Sequence, residues 1–309
     1  MRRIFLLVLL VPVLLLSGCI TSHVGAPTAA PFTADPSGNV AVFTPDTGAT
    51  PDGNATAPAD RTNSAVTPID TWSDGTPAPT GSGNTGPLAG LIICVDPGHQ
   101  GSGIKEKEPC APWGPEANSS VNNTTMKAKA TSGTTGVSTK KVEYQVNLEI
   151  GLKLRDALEA KGATVIMSRV DNSSLISNRE RALLANEAHC VLTFNIHCNG
   201  SDNSSTTGVE IYVRGAGDNT PEYSERSKTD VALGNKLMDR IIAATGAKKR
   251  SVNKSDNYTG INWRDHSTFI IECGFMSNPE EDERLSTPEY QDKLVSGIVK
   301  FVTDDYLNG

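Results

Sequence analysis

Leu91-Ile92-Ile93-Cys94-Val95-Asp96-Pro97-Gly98-His99 is the stretch that sets the class of this protein. Five apolar residues run straight into Asp-Pro-Gly. A run that short, apolar throughout and stopped by turn residues, reads as a buried strand. Similar runs recur at Thr164–Ser168, Cys190–Ile196, Gly208–Val213 and Thr268–Cys273. Helical patterns lie between them. Val146, Ile150, Leu154 and Leu158 fall at i, i+4 spacing from Val142 to about Lys161, and Gly162 suits the helix end. Ser177-Asn178-Arg179-Glu180 is a capping box that opens a helix to about Ala188. A long helix covers about Glu222 to Thr245, and Thr287-Pro288 starts a last one to about Tyr306. Strands alternating with helices predict an α/β fold. We expect one three-layer domain over residues 88–309, a mixed twisted sheet of about six strands with helices on both faces.

Upstream of Leu88 the chain changes character. Arg2 and Arg3 precede an apolar run from Ile4 to Leu16, too short to span a bilayer. The run ends in Leu16-Ser17-Gly18-Cys19, which resembles the bacterial lipobox. Residues 1–18 are then a lipoprotein signal peptide, and Cys19 is the acylated residue, holding the protein to a membrane without spanning it. The resemblance implies export to the outer face of a bacterial membrane, or to the periplasmic side of an envelope membrane. The rest of residues 19–87 is rich in Thr, Pro, Ala, Gly, Asp and Asn, with no apolar periodicity. Such a segment buries too little surface to offset its ordering entropy, so it is expected to act as a disordered tether. Its reach would be about 45 Å as a coil and about 230 Å extended.

The formal net charge is −7, which argues against nucleic acid as a partner, because phosphate neutralisation needs the opposite sign. Besides Cys19 there are Cys94, Cys110, Cys190, Cys198 and Cys273. An odd number cannot all pair, no CxxC occurs, and four sit in or beside predicted strands. They are read as small core residues, not a disulfide framework.

The chemistry-bearing residues gather where the predicted strands end. His99 follows the first strand, His197 ends the third, Glu272 ends the last, and Glu143 opens the first helix. Strand ends and helix starts share one edge of an α/β sheet, where such folds place their sites. Two His, one Glu and a further Glu make up the inventory of a hydrolytic zinc site: three ligands, an open position for water, and a carboxylate base. Glu106 and Glu108 also follow His99, but they lead into Pro109 and a polar loop that offers no rigid placement. Cys198 alternates away from His197 on the strand, whereas Asn199 returns to its side and is a candidate substrate contact. Glu210 is expected to be structural or a supporting residue. Asp96 either orients His99 or simply ends a strand. His23, His189 and His266 match no ligand position.

These motifs, in this order, resemble the zinc-dependent N-acetylmuramoyl-L-alanine amidases of the AmiC type, the amidase 3 family. The resemblance covers about Leu91 to Val302. It rests on Val95-Asp96-Pro97-Gly98-His99, Glu143-Tyr144-Gln145-Val146-Asn147-Leu148, and Asn178-Arg179 with Ala185-Asn186. It continues through Ile196-His197-Cys198-Asn199, Gly208-Val209-Glu210-Ile211-Tyr212 and Glu272-Cys273-Gly274-Phe275-Met276-Ser277-Asn278. It implies one zinc ion per chain on His99, Glu143 and His197, with Glu272 as catalytic carboxylate. It also implies peptidoglycan as substrate, cut between N-acetylmuramic acid and L-alanine, and leaves a protein activator open. Arg179 and Asn186 are expected to make structural hydrogen bonds. The departure is a long polar insertion, residues 101–140, with Cys110 and Trp113 inside it. It is expected to be a lid, a substrate-contact loop, an inhibitory segment or an inert insertion. The rival reading is a non-catalytic or autoinhibited wall-binding lipoprotein on the same fold. The presence of Glu272 argues against that reading.

Overall fold

The structure is a computed structural model and describes residues 85–117 and 119–308. The predicted signal peptide, Cys19 and nearly all of the tether lie outside the described residues. The strands are β1 (Ile92–Pro97), β2 (Ile104–Pro109), β3 (Met126–Ala130), β4 (Thr164–Met167), β5 (Leu192–Asn199), β6 (Val209–Arg214), β7 (Lys249–Ser255) and β8 (Ser267–Phe275). Six of them form one mixed sheet in the order β4-β1-β5-β8-β6-β7. The first four of that order run parallel, while β6 is antiparallel to β8 and parallel to β7. The α/β class and the strand number agree with the sequence.

Side-chain alternation assigns the two faces. Leu192, Phe194, Ile196 and Cys198 of β5 join Phe269, Ile271 and Cys273 of β8 in the main core. Over this face lie α1 (Glu143–Glu159), α3 (Pro221–Thr245) and α6 (Pro288–Lys300). The predicted stripe Val146, Ile150, Leu154, Leu158 is fully buried there. Phe194, Phe269 and Phe301 meet at 5.9–6.2 Å between ring centroids. Each buried ring contributes about 1.5–3 kcal/mol of apolar transfer. The other face is thinner. There α2 (Asn178–Glu187) covers Cys94, Ile166 and Cys190, and the short α4 (Thr259–Asn262) packs beside it. A further short helix, α5 (Pro279–Leu285), follows β8.

The helix ends obey local chemistry. At α2 the Ser177 hydroxyl accepts from Glu180 N–H while Glu180 accepts from Ser177 N–H, closing the predicted box. Thr220 and Thr287 cap α3 and α6, each followed by Pro, and Gly246 ends α3 at φ 69°. The last helix is α-helical only to Lys300, and Phe301–Tyr306 continues in wider π turns.

The 101–140 segment differs most from expectation. It is not structureless: β2 and β3 pair as an antiparallel ribbon. Beyond them Cys110, Ala111, Trp113 and Val121 close a small core against Tyr223 of α3. The ribbon is tied down by polar bonds that leave no periodic trace. Arg179 N–H donates to Glu108, Trp263 Nε1 to the Pro109 carbonyl, and Asn262 Nδ2 to the Cys110 carbonyl. All five cysteines of the described residues are free and buried.

Candidate metal and catalytic centre

His99 and Glu143 reach one point from different elements. β1 ends at Pro97, and the chain turns through Gly98 into His99, which sits at the uncommon φ of 60°. Buried arginines hold that turn by its carbonyls. Arg181 donates to the carbonyls of Pro97 (2.8 Å) and His99 (2.9 Å), and Arg169 to those of Pro97 (2.9 Å) and Gly98 (3.0 Å). Both arginines are at most 2 % exposed. Glu143 is the first residue of α1 and is buried.

Glu143 lies between the two imidazoles. Its Oε2 is 3.2 Å from His99 Nε2, and its Oε1 is 3.1 Å from His197 Nδ1. Cys198 N–H also donates to Oε1, as does Asn147 Nδ2. One ligand atom from each of His99, Glu143 and His197 falls within 4.8 Å of the other two. Burial pushes the Glu143 carboxyl up, but hydrogen bonds and charge from His197 and His99 outweigh it and hold it well below the usual range. Burial pushes the His197 imidazole down, with Glu143 opposing. Two imidazoles and an ionised carboxylate, converging at this spacing, can hold a divalent cation.

Glu272 sits across the sheet from His197. The two are register partners on parallel β5 and β8, and Glu210 is the partner of Glu272 on β6. Partners project from the same face, so His197, Glu272 and Glu210 form a row across three strands. The Oε2 of Glu272 is shielded from solvent and has no hydrogen-bond partner. Burial, then Glu143 and Glu210, push its carboxyl well above the usual range. Glu210 is engaged otherwise: Arg250 bonds its Oε1 at 2.5 Å, and Asn199 and Tyr212 bond its Oε2. Asn199 is on the His197 side of β5, partly buried, with its amide on Glu210.

Cys198 turns into the main core, as strand alternation requires. Glu108 is buried away from the cluster, on the N-terminus of α2. His266 bonds Thr193 and Asp265. Arg179 stacks over Trp263 at 4.5 Å, and Asn186 bonds the Trp263 carbonyl. Asp96 makes no bond to the His99 ring; it meets Ser168, Arg181 and Arg264 instead. Arg181 links it to the His99 carbonyl.

Arg169, Arg181, Asn147 and Gly133 carry no signal as site residues in the sequence. Gly133, at φ 79°, packs so closely that a Cβ there would strike Glu143 Oε2 and come within 2.8 Å of His99 Cδ2. A Cβ at Gly98 would strike the His197 ring. Glycine at both positions is what lets the backbone approach the three side chains. Beside the cluster, Thr134, Thr135, Val137, Gly200, Ser201, Asp202 and Ser277 line an open polar cleft of about 460 Å³.

Known proteins share the sequence and fold of this domain. The chain is 28% identical over 229 residues to the germination-specific N-acetylmuramoyl-L-alanine amidase of Bacillus subtilis, covering 69% of this chain and 79% of that protein. The crystal structure of an N-acetylmuramoyl-L-alanine amidase from Clostridium difficile 630 superposes with a TM-score of 0.54 at 25% identity, over 71% of this chain and 97% of that one. The amidase Ami1 from Mycobacterium smegmatis shares the fold with a TM-score of 0.59 at 24% identity, over 71% of this chain and 99% of that one. The sequence profile of the family Amidase_3, N-acetylmuramoyl-L-alanine amidase, matches residues 93–304, a span that holds all four residues of the cluster and the sheet beneath them. By that match the chain belongs to the Amidase_3 family of N-acetylmuramoyl-L-alanine amidases, which act on peptidoglycan.

Proposed function

We propose that this amidase is zinc-dependent, with His99, Glu143 and His197 as ligands and Glu272 as the catalytic carboxylate. The observation that carries the reading is the convergence of the three ligand atoms beside a carboxylate whose Oε2 is buried and unpartnered. The donor set fits the metal: nitrogen and carboxylate oxygen are the ligands of hydrolytic zinc sites, and three of them leave a position open. When bound, the ion supplies Lewis acidity to a water and to the scissile carbonyl, and positive charge beside Glu272.

The chain's own groups do the rest. Glu143 is held ionised, so it is ready to ligate at neutral pH. Glu272 takes one proton from the attacking water as its oxygen adds to the lactyl carbonyl of N-acetylmuramic acid. It then passes that proton to the L-alanine nitrogen as the C–N bond breaks, releasing free glycan and a stem peptide with a free amine. Asn199 and the cleft lined by Thr134, Ser201 and Ser277 would receive substrate next to that bond.

Dialysis of the protein against a chelator is expected to stop release of stem peptides bearing a new L-alanine amine, and added zinc to restore it, as read by mass spectrometry of digested peptidoglycan. Cleavage that continues unchanged without metal would remove zinc from the mechanism.

Anchoring at Cys19 is the other part of the proposal. It rests on Leu16-Ser17-Gly18-Cys19 at the end of an apolar run. Among the described residues no helix is long and apolar enough to cross a membrane. Cys19→Ala, expressed in a bacterial host, is expected to lose both incorporation of labelled fatty acid and sedimentation with membranes. A variant that still takes up the label would place the lipid elsewhere.

A further inference from the structure

Residues 131–134, towards the end of the 101–140 insertion, close over the His99–Glu143–His197 cluster. Thr131 meets His99 Nδ1 twice, through its hydroxyl oxygen at 2.8 Å and its carbonyl oxygen at 3.2 Å. Across the ring, His99 Nε2 faces Glu143 Oε2. Three residues on, Thr134 N–H donates to that same Oε2 at 3.0 Å, and the Thr134 carbonyl accepts from Glu143 N–H at 2.9 Å. Gly133 lies between, pressed against both side chains. Residues 131–134 therefore touch two of the three candidate ligands.

A carbonyl oxygen can only accept a hydrogen bond. Its place beside Nδ1 gives the ring proton an acceptor there when a cation takes the Nε2 lone pair; without a cation, Nε2 faces the Glu143 carboxylate. The hydroxyl adds a second acceptor at shorter range and resists rotation of the ring about its Cβ–Cγ bond. Among the described residues Thr131 is the sole hydrogen-bond partner of His99 Nδ1. His99 is partly exposed, with 20% of its side chain accessible, so packing alone does not fix the ring. The backbone of His99 is held separately, through Arg181 on its carbonyl. Ring orientation is left to Thr131.

We propose that Thr131 is a positioning residue whose hydroxyl fixes the ring plane of His99 for metal capture, which makes the insertion an integral part of the metal centre. The proposal rests on the reading of His99 as a ligand. Partners of this kind typically change metal affinity by about 10–100-fold when removed.

The experiment uses the full chain in three forms: native, Thr131→Val and Thr131→Ser. Zinc affinity is read by competition with a chromophoric chelator, and the melting temperature of each zinc-free form is read alongside. Val keeps the shape and the carbonyl but removes the hydroxyl, and is expected to weaken zinc binding about 10-fold or more. Ser restores the hydroxyl and is expected to restore affinity. Thr131 is exposed, so the zinc-free melting temperature should stay at its native value in both variants. In the zinc-loaded native chain, imidazole nitrogen NMR should show His99 protonated on Nδ1. Thr131→Val binding zinc as tightly as the native chain would overturn the proposal, as would an affinity loss matched by a fall in melting temperature. A native chain that takes up no zinc would instead overturn the metal reading beneath it.

Discussion

Glu272→Gln is expected to lower the turnover of muropeptide amide bonds by about 10²–10⁴-fold while the protein still takes up one zinc. Gln keeps the shape of the side chain but cannot accept and return a proton. No neighbour is free to replace it. Glu210, its partner across β6, is already bound by Arg250, Asn199 and Tyr212. Glu143 carries bonds from Asn147, Cys198 and Thr134 and faces both imidazoles. The same substitution should raise the stability of the zinc-free protein at neutral pH. Burial, Glu143 and Glu210 raise the Glu272 carboxyl above its unfolded value. Such a group stabilises the fold below the ordinary carboxylate range and costs stability as pH rises above it. Gln removes that cost, so the zinc-free variant should melt higher than the native chain at pH 7 and show no such gain at pH 4. Turnover on a defined muropeptide, zinc uptake and paired melting curves check all three statements. Native turnover in the zinc-loaded variant would reassign the proton carrier.

The sheet and its site edge were legible because they follow from local rules. β1, β5 and β8 are apolar runs that carry His or Glu at or just past their C-terminal ends, and a buried strand has few other inexpensive places for such residues. α1 shows through its i, i+4 stripe and α2 through its capping box. β7 was not legible. Lys249-Arg250-Ser251-Val252-Asn253-Lys254-Ser255 is an edge strand, and its charges and hydroxyls hide the pairing with β6. The ribbon β2–β3 was not legible for a related reason. Lys105-Glu106-Lys107 alternates charges rather than apolar residues, and what orders it is a set of single bonds to residues about seventy to a hundred and fifty positions away. Thr131 belongs to that ribbon's exit and could not be assigned to His99 without the fold. Arg169 and Arg181 were not legible because arginine is rarely buried. Here both are buried because each has backbone carbonyls of the His99 turn to bond.

That buried charge carries the second large effect. Asp96→Ala is expected to destabilise the zinc-free protein by about 3–5 kcal/mol, the usual cost of removing one partner from a buried ionic cluster. Asp96 is 1% exposed at the end of β1. Its Oδ1 accepts from Ser168 at 2.5 Å and Arg181 at 2.7 Å, and its Oδ2 from Arg264 at 2.6 Å. Truncation leaves two buried guanidiniums facing an apolar methyl group. For a domain of this size the melting temperature should fall by roughly 6–20 °C. Asp96→Asn separates charge from shape: it fills the site but removes the negative charge, so a loss close to that of Ala would assign the effect to charge. pH gives the same information without mutation. Burial alone would raise the Asp96 carboxyl, but Arg181, Arg264 and Ser168 outweigh it and hold the group well below its ordinary value. A depressed carboxyl contributes its stability above the unfolded value and loses it as pH falls through the folded one. The gap in melting temperature between native and Asp96→Asn should therefore be largest at neutral pH and narrow as the medium becomes strongly acidic. A gap that stays constant from neutral to acid pH would mean that packing, not the ionised carboxylate, holds Arg181 and the His99 turn in place.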